Sequence, residues 1–286
     1  MTLFDLDPEP GAPAGAGSAP ATTLRLRLDL AYDGSGFRGF AAQAGQRTVA
    51  GVLAEAIATV VRHRVEITCA GRTDAGVHAL GQVAHVDVDA AVDPARLVKA
   101  VNAMLGPAVV LRGAEVAPDG FDARRSALAR RYRYLVLCAG LPHPLLARQA
   151  WLVRHPLDLR AMAAAADALL GQHDFRAFCR RPPGAEPGDP IVRVVTEATW
   201  REVRPEPDGL RPGERLLRFE VTARSFCHQM VRTMVGALVD VGRGRRRPSD
   251  VVALLRSGDR SQATTVAPPH GLCLVGVDYG PPPSGP

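Results

Sequence analysis

The chain has 286 residues, 47% hydrophobic and 22% charged, a balance that excludes a disordered or fibrous protein and fits one large domain or two modest ones. Its formal net charge of +6 suits a polyanionic partner without requiring one. No run of about 18 apolar residues occurs, and the N-terminus lacks a basic region followed by an apolar one, so neither a membrane span nor a signal peptide is expected.

Residues 1–22, rich in Pro, Gly, Ala and Ser, read as a disordered tail, and 281–286 as a second one. The alternation of Leu24, Leu26, Leu28 and Leu30 with Arg25, Arg27 and Asp29 predicts a half-buried strand over 24–33. GSGF at 34–37 is a turn. Val49, Val52, Leu53, Ala56, Ile57 and Val60 form one stripe of a helix over 48–62. A strand at 65–70 leads into a loop from Gly71, and 81–89 alternates again. Asp93-Pro94 opens a helix reaching about Leu105. Strands follow near 108–116 and at 130–138, where Tyr132 and Tyr134 point one way and Arg131 and Arg133 the other. Residues 139–150 cross to a second half. That half holds a helix at 158–171, strands near 189–203 and 214–224, helices at 226–241 and 248–256, and a strand near 272–279. The segments 180–190 and 204–213 read as loops. The pattern predicts an α+β (mixed α/β) fold with a largely antiparallel sheet flanked by helices. The two similar halves, 23–140 and 150–280, predict a cleft between them.

Lys99 is the only lysine among 35 basic residues. Guanidinium groups fork onto phosphates and stack on bases, which ammonium groups cannot do. The five cysteines, Cys69, Cys138, Cys179, Cys227 and Cys273, are widely spaced and contain no CxxC pair. A disulfide framework or a zinc site is therefore not expected, and a reducing, cytoplasmic location is.

GRTDAGVH at 71–78 is the most informative stretch. Gly71 and Gly76 bracket Asp74, allowing a sharp turn and close ligand approach. By residue type, Asp74 can be a general base, a nucleophile, a metal ligand or simply a turn cap. Asp74, His78, His85 and Asp87 invite a metal-site reading. No HExxH-type spacing supports it, and His85 and Asp87 share a strand face while Val86 takes the other.

The string GRTDAGVH resembles the active-site motif of the TruA family of tRNA pseudouridine synthases, and the match continues through Gly81-Gln82-Val83. AYDGSGFRGF at 31–40 resembles the family's YDGS opening. FDARRSALARRYRY at 121–134 resembles its RRYRY strand. SFCHQMVRTMVGALVDVG at 225–242 resembles its histidine- and arginine-bearing helix, and GLCLVGVDY at 271–279 its closing strand. The resemblance covers about residues 24–280. Phe40 stands where the family usually has tryptophan, and Ala41 and Ala50 where glutamines are common.

The resemblance implies a pseudouridine synthase fold with a central basic cleft. It also implies isomerisation of uridine at positions 38, 39 and 40 of the tRNA anticodon stem-loop, by a homodimer without metal or organic cofactor. Asp74 matches the catalytic aspartate, which can stabilise positive charge on the sugar, attack C1′, or take a sugar proton. Tyr132 matches the active-site tyrosine, with a ring to stack on the base and a hydroxyl for proton transfer. Arg232 matches the arginine that pairs with the aspartate and orients it. Arg72 resembles the arginine that fills the gap left by a flipped base, and His78 closes the same motif. Arg243, Arg245, Arg246 and Arg247 form a basic stretch fit for a phosphate track, which Arg124, Arg125, Arg130, Arg131 and Arg133 can extend. A noncatalytic RNA-binding protein on the same scaffold is the rival reading.

Overall fold

The leucines that alternate near the N-terminus build a strand, β1 (Thr23–Tyr32), whose Leu26, Leu28 and Leu30 are completely buried. This is a computed structural model, and it describes residues 23–181, 184, 188–204, 209–263 and 265–281. The expected tail at 1–22, all but Pro281 of the one at 281–286, and parts of the loops at 180–190 and 204–213 lie outside these residues.

Thr48 starts α1 (Val49–Val61) by accepting the Gly51 N–H at 3.2 Å. A short β2 (Thr68–Cys69) precedes β3 (His78–Asp89). Asp93 caps α2 (Pro94–Leu105), with the proline in the first turn as expected. Next come β4 (Val109–Val116) and β5 (Ala129–Cys138). The second half holds β6 (Trp151–Val153), α3 (Leu159–Asp167), β7 (Gly171–Asp174), β8 (Val192–Val203) and β9 (Arg215–Ala223). It continues with α4 (Met230–Gly242), α5 (Pro248–Ser257) and β10 (Leu272–Asp278).

Several boundaries differ from the sequence expectation. The strand expected at 65–70 shrinks to two residues, and β3 begins at His78, three residues before 81. The helix expected at 158–171 ends at Asp167, and Gly171, at φ +90°, opens β7 instead. The helix expected from 226 starts at Met230, because Gln229 takes a left-handed conformation at φ 65°.

The sheet runs in the order β4-β1-β3-β10-β5-β9-β8-β7, with β2 added to β3 and β6 to β5. Its pairings are antiparallel except β10 with β3 and β6 with β5. The fold is thus α+β with a largely antiparallel sheet. Leu26 opposite Val86, Leu274 opposite Tyr132, and Tyr134 opposite Phe219 carry one apolar face across the sheet. All five helices add side chains to that core. The other face has two smaller clusters, one around Leu135, Leu137 and Leu216, the other around Val83, Phe121 and Ala123.

Helix α4 is buried along nearly its whole length. At Gly236 the chain of residues 265–267 lies so close that a Cβ would collide with the Thr265 carbonyl. Gly236→Ala is therefore expected to destabilise the fold by about 1–3 kcal/mol. Urea unfolding checks this, and an unchanged midpoint would contradict the close approach.

Two imidazoles make stability depend on pH. Buried His85 accepts the Ala123 N–H through Nδ1 at 3.0 Å, and burial holds its pKa below the ordinary value. Burial does the same for His270, whose Nε2 lies 3.2 Å from the Ala150 carbonyl. As pH falls through the ordinary histidine value of about 6.5, the unfolded chain takes up protons that the folded chain refuses. Stability must then decline. The urea midpoint is expected to drop between pH 7 and 5, and His85→Asn, which keeps an acceptor but cannot titrate, should make the drop smaller.

Candidate active site

The loop between β2 and β3 is fastened from three sides. Gln82 on β3 donates from Nε2 to the Gly71 carbonyl at 2.7 Å and to the Tyr32 hydroxyl at 3.3 Å. The Tyr32 hydroxyl in turn shares a hydrogen bond of 2.8 Å with Thr73 Oγ1. Phe40 N–H donates to the Thr73 carbonyl at 3.1 Å, and Gly76, at φ +78°, donates to the Phe37 carbonyl at 3.3 Å. Phe40 and Ala50, two of the departures from the family pattern, are buried core residues.

Arg130 holds the loop's base. Its guanidinium donates to the Ala70 carbonyl at 2.9 and 3.2 Å, and to the carbonyls of Ala127, Arg224 and Arg124. It is buried, so its expected place in a phosphate track is corrected: its donors are spent on backbone. Burial also pulls its pKa below the usual arginine value. Arg131 and Arg133 flank Tyr132, so the strand's alternation sends them to the opposite face of the sheet.

The loop presents Asp74 with its side chain 21% exposed. Oδ2 lies 3.0 Å from the Arg232 guanidinium and Oδ1 lies 3.5 Å from His228 Nε2. Arg232, 14% exposed, sits in the first turn of α4 and also donates from Nε to the Ala267 carbonyl at 2.8 Å. Residues 158 positions apart thus meet as a bonded pair.

Tyr132 is 7% exposed. The Phe226 ring meets it edge-on, with centroids 5.2 Å apart. Its hydroxyl end borders Gly71, where a Cβ would lie 3.5 Å away. Burial first, and the Asp74 carboxylate second, push its pKa well above the ordinary tyrosine value, so it is a neutral hydroxyl at pH 7. Its neighbour Tyr134 instead donates to the Pro268 carbonyl at 2.7 Å, a core role.

The other expected residues take different places. Arg72 is exposed, with no hydrogen bond or ion pair among the described residues. His78 accepts the Gly34 N–H through Nδ1 at 3.1 Å, while its Nε2 meets the Arg148 carbonyl at 2.7 Å. It thereby joins three chain segments and makes no hydrogen bond to Asp74, Tyr132 or Arg232 among the described residues. Arg243 lies over the Trp151 ring at 5.5 Å, and exposed Arg245 approaches Asp240 at 3.8 Å. Asp87 pairs with Arg25 at 2.7 Å, and no group of three or more histidine, cysteine or acidic side chains able to hold a metal occurs among the described residues.

Three residues that support the site were missed by the sequence reading: His228 beside Asp74, Phe226 beside Tyr132, and Gln82, which holds the loop at Gly71. All three were visible as parts of matched motifs, but only contacts made across the fold reveal what they hold. The expectation of no disulfide is also corrected. Cys179 and Cys227 are bonded, with Cα atoms 5.7 Å apart and a sequence separation of 48. Such a pair arises from tertiary contact, which spacing alone does not show.

A partly exposed carboxylate steered by a guanidinium, beside a neutral phenol, can act on a sugar carbon and shuttle a proton nearby. The sequence profile of a family described as tRNA pseudouridine synthase matches residues 30–124 and 165–280. A relative from Frankia casuarinae, called tRNA pseudouridine synthase A, is 48% identical over 264 residues, covering 91% of each chain. A protein of the same description from Corynebacterium glutamicum is 42% identical, covering 90% of this chain and 89% of its own. One from Mycobacterium leprae is also 42% identical, covering 90% of both. Both stretches of the profile match include one partner of the Asp74–Arg232 pair, and the chain belongs to the tRNA pseudouridine synthase family.

Proposed function

We propose that this chain converts uridine to pseudouridine at positions 38, 39 and 40 of the tRNA anticodon stem-loop, with Asp74 as its catalytic carboxylate. The observation that carries this reading is the 3.0 Å contact of Asp74 with Arg232 beside the neutral Tyr132 hydroxyl. The reaction breaks the C1′–N1 bond, turns the uracil and rejoins it through C5. Arg232 fixes one carboxylate oxygen, leaving the other directed towards His228 and the open side. From there Asp74 attacks C1′ or takes a sugar proton. The buried Tyr132 ring leaves its hydroxyl as the end nearest the loop, suited to the proton at C5.

Arg72 lies two residues before Asp74 and is exposed, suited to fill the stack when the base flips out. Arg243 and Arg245 lie just past the far end of α4, about 16 Å along its axis from Arg232. That spacing suits a phosphate track beside the reacting nucleotide. His78 contributes by tying the loop's end to the Gly34 turn. Residues 23–140 supply the aspartate loop, and 150–280 close the cleft with Arg232. The working form in this reading is a cytoplasmic homodimer with no metal or organic cofactor.

The test is release of tritium from C5-labelled uridine in a tRNA anticodon stem-loop transcript, with the modified positions mapped. Stoichiometric release, lost when positions 38–40 are replaced by cytidine, is expected. Salt-dependent binding without release would favour the noncatalytic rival.

A further inference from the structure

The segment entering α4 has an anchor at each of four consecutive residues. Phe226 meets the Tyr132 ring edge-on. Cys227 is bonded to Cys179. His228 reaches Asp74 at 3.5 Å, and its carbonyl accepts the Arg180 N–H at 2.9 Å. Gln229 bends the backbone into the left-handed region and accepts Arg260 NH2 at 2.7 Å. The other end of the disulfide is firm. Cys179 follows Phe175, Ala177 and Phe178, and all four are completely buried in the main core. One covalent bond therefore joins the core to the segment that touches both Asp74 and Tyr132.

We propose that Cys179 and Cys227 are a redox modification site whose closure fastens this segment in its catalytic arrangement, an inference that rests on reading Asp74 and Tyr132 as the active site. The thiol form exists under reducing conditions, and a peroxide closes the pair. Cys227, the half-buried partner, is the first to react. Its thiolate attacks the peroxide oxygen, the O–O bond breaks, and a sulfenic acid forms with release of one water. The Cys179 thiol then displaces the second water and forms the S–S bond. Two thiols and one peroxide give one disulfide and two waters. A low-molecular-weight disulfide closes the pair equally, leaving as two small thiols.

Selectivity follows from placement: half-buried Cys227 is open to attack first, and Cys179, though fully buried, is the thiol already within bonding reach of it. Cys69, Cys138 and Cys273 are buried, and burial pushes each thiol up to about 11, away from the reactive thiolate. The bond also closes a long loop between β7 and α4, which restricts the unfolded chain more than a short one would. Closure thus stabilises the fold and preorganises Phe226 and His228 without adding a contact to substrate.

The test uses the full chain, reduced with dithiothreitol or oxidised with hydrogen peroxide or glutathione disulfide. Peptide mapping should recover a Cys179–Cys227 link and leave Cys69, Cys138 and Cys273 as thiols. The oxidised protein should melt roughly 5 °C or more above the reduced one, and release tritium from labelled tRNA at least as fast. Cys227→Ser should lose the oxidation-dependent gain while folding like the reduced protein. Cys179→Ser, at a tighter site, provides the second check. A missing link, pairing with another cysteine, a stable small-thiol adduct on Cys227, no rise in melting temperature or slower turnover after oxidation would each overturn the proposal. If neither redox state released tritium, the isomerase reading would fail and the claim about catalytic arrangement with it. The mapped link and the melting shift would still decide whether the pair closes.

Discussion

Asp74→Asn is expected to lower tritium release from labelled tRNA by about 10³-fold or more, while tRNA affinity stays within about twofold. Asparagine keeps the shape of aspartate and leaves a carbonyl oxygen for the Arg232 guanidinium, which lies 3.0 Å from the native carboxylate. The loop should therefore stay in place through Gln82, Thr73 and Arg130, none of which touches the carboxylate. What disappears is the negative charge and the ability to attack C1′ or hold a proton. Most tRNA affinity should come from arginines on phosphates, and one neutralised carboxylate does not weaken those contacts. Turnover within tenfold of the native enzyme would remove Asp74 from the chemistry.

Arg232→Met should damage both rate and stability. The arginine bridges two partners, Asp74 and the Ala267 carbonyl, while its own carbonyl accepts the Ala267 N–H at 3.0 Å. Methionine fills similar space but leaves the carboxylate with only the longer His228 contact, and the Ala267 carbonyl without its side-chain donor. A largely buried carboxylate that loses its partner costs about 3–5 kcal/mol in the unfavourable case. With Asp74 partly open to water, about 2–3 kcal/mol is the better expectation. The rate should fall about 10²-fold, in kcat more than in KM, because the carboxylate is no longer aimed. Arg232→Lys should recover part of the stability and little of the rate, since one ammonium cannot serve both partners in the guanidinium's geometry. A destabilised Arg232→Met enzyme with normal kcat would sink the orienting role and leave a structural one.

The strands that alternate cleanly were legible from sequence. Leu26, Leu28 and Leu30 each face the core because a period of two on a half-buried strand admits no other register. The start of α2 at Pro94 was legible for a similar local reason. The entry to α4 was not. Phe226 and Cys227 extend its apolar stripe, and only the left-handed Gln229 shows that they belong to a separate turn. Arg130 misled for the opposite reason: within a run of arginines nothing local marks the one whose donors all go to buried carbonyls. At the site, Asp74, Tyr132 and Arg232 were readable because a motif named them. Gln82, Phe226 and His228 act through distant partners, and the bond between Cys179 and Cys227 crosses 48 residues.

The position of β10 has a consequence for how the protein comes into being. This strand follows every other described strand in the chain, yet it lies in the sheet between β3 and β5. A nascent chain that has emerged only through α5 carries the aspartate on one piece and the tyrosine on another, with the edges that should receive β10 still unfilled. Synthesis thus delivers all three residues of the site well before it delivers the strip that seats them side by side. Competence arrives late and all at once, and until then two open sheet edges need shelter from pairing with other chains.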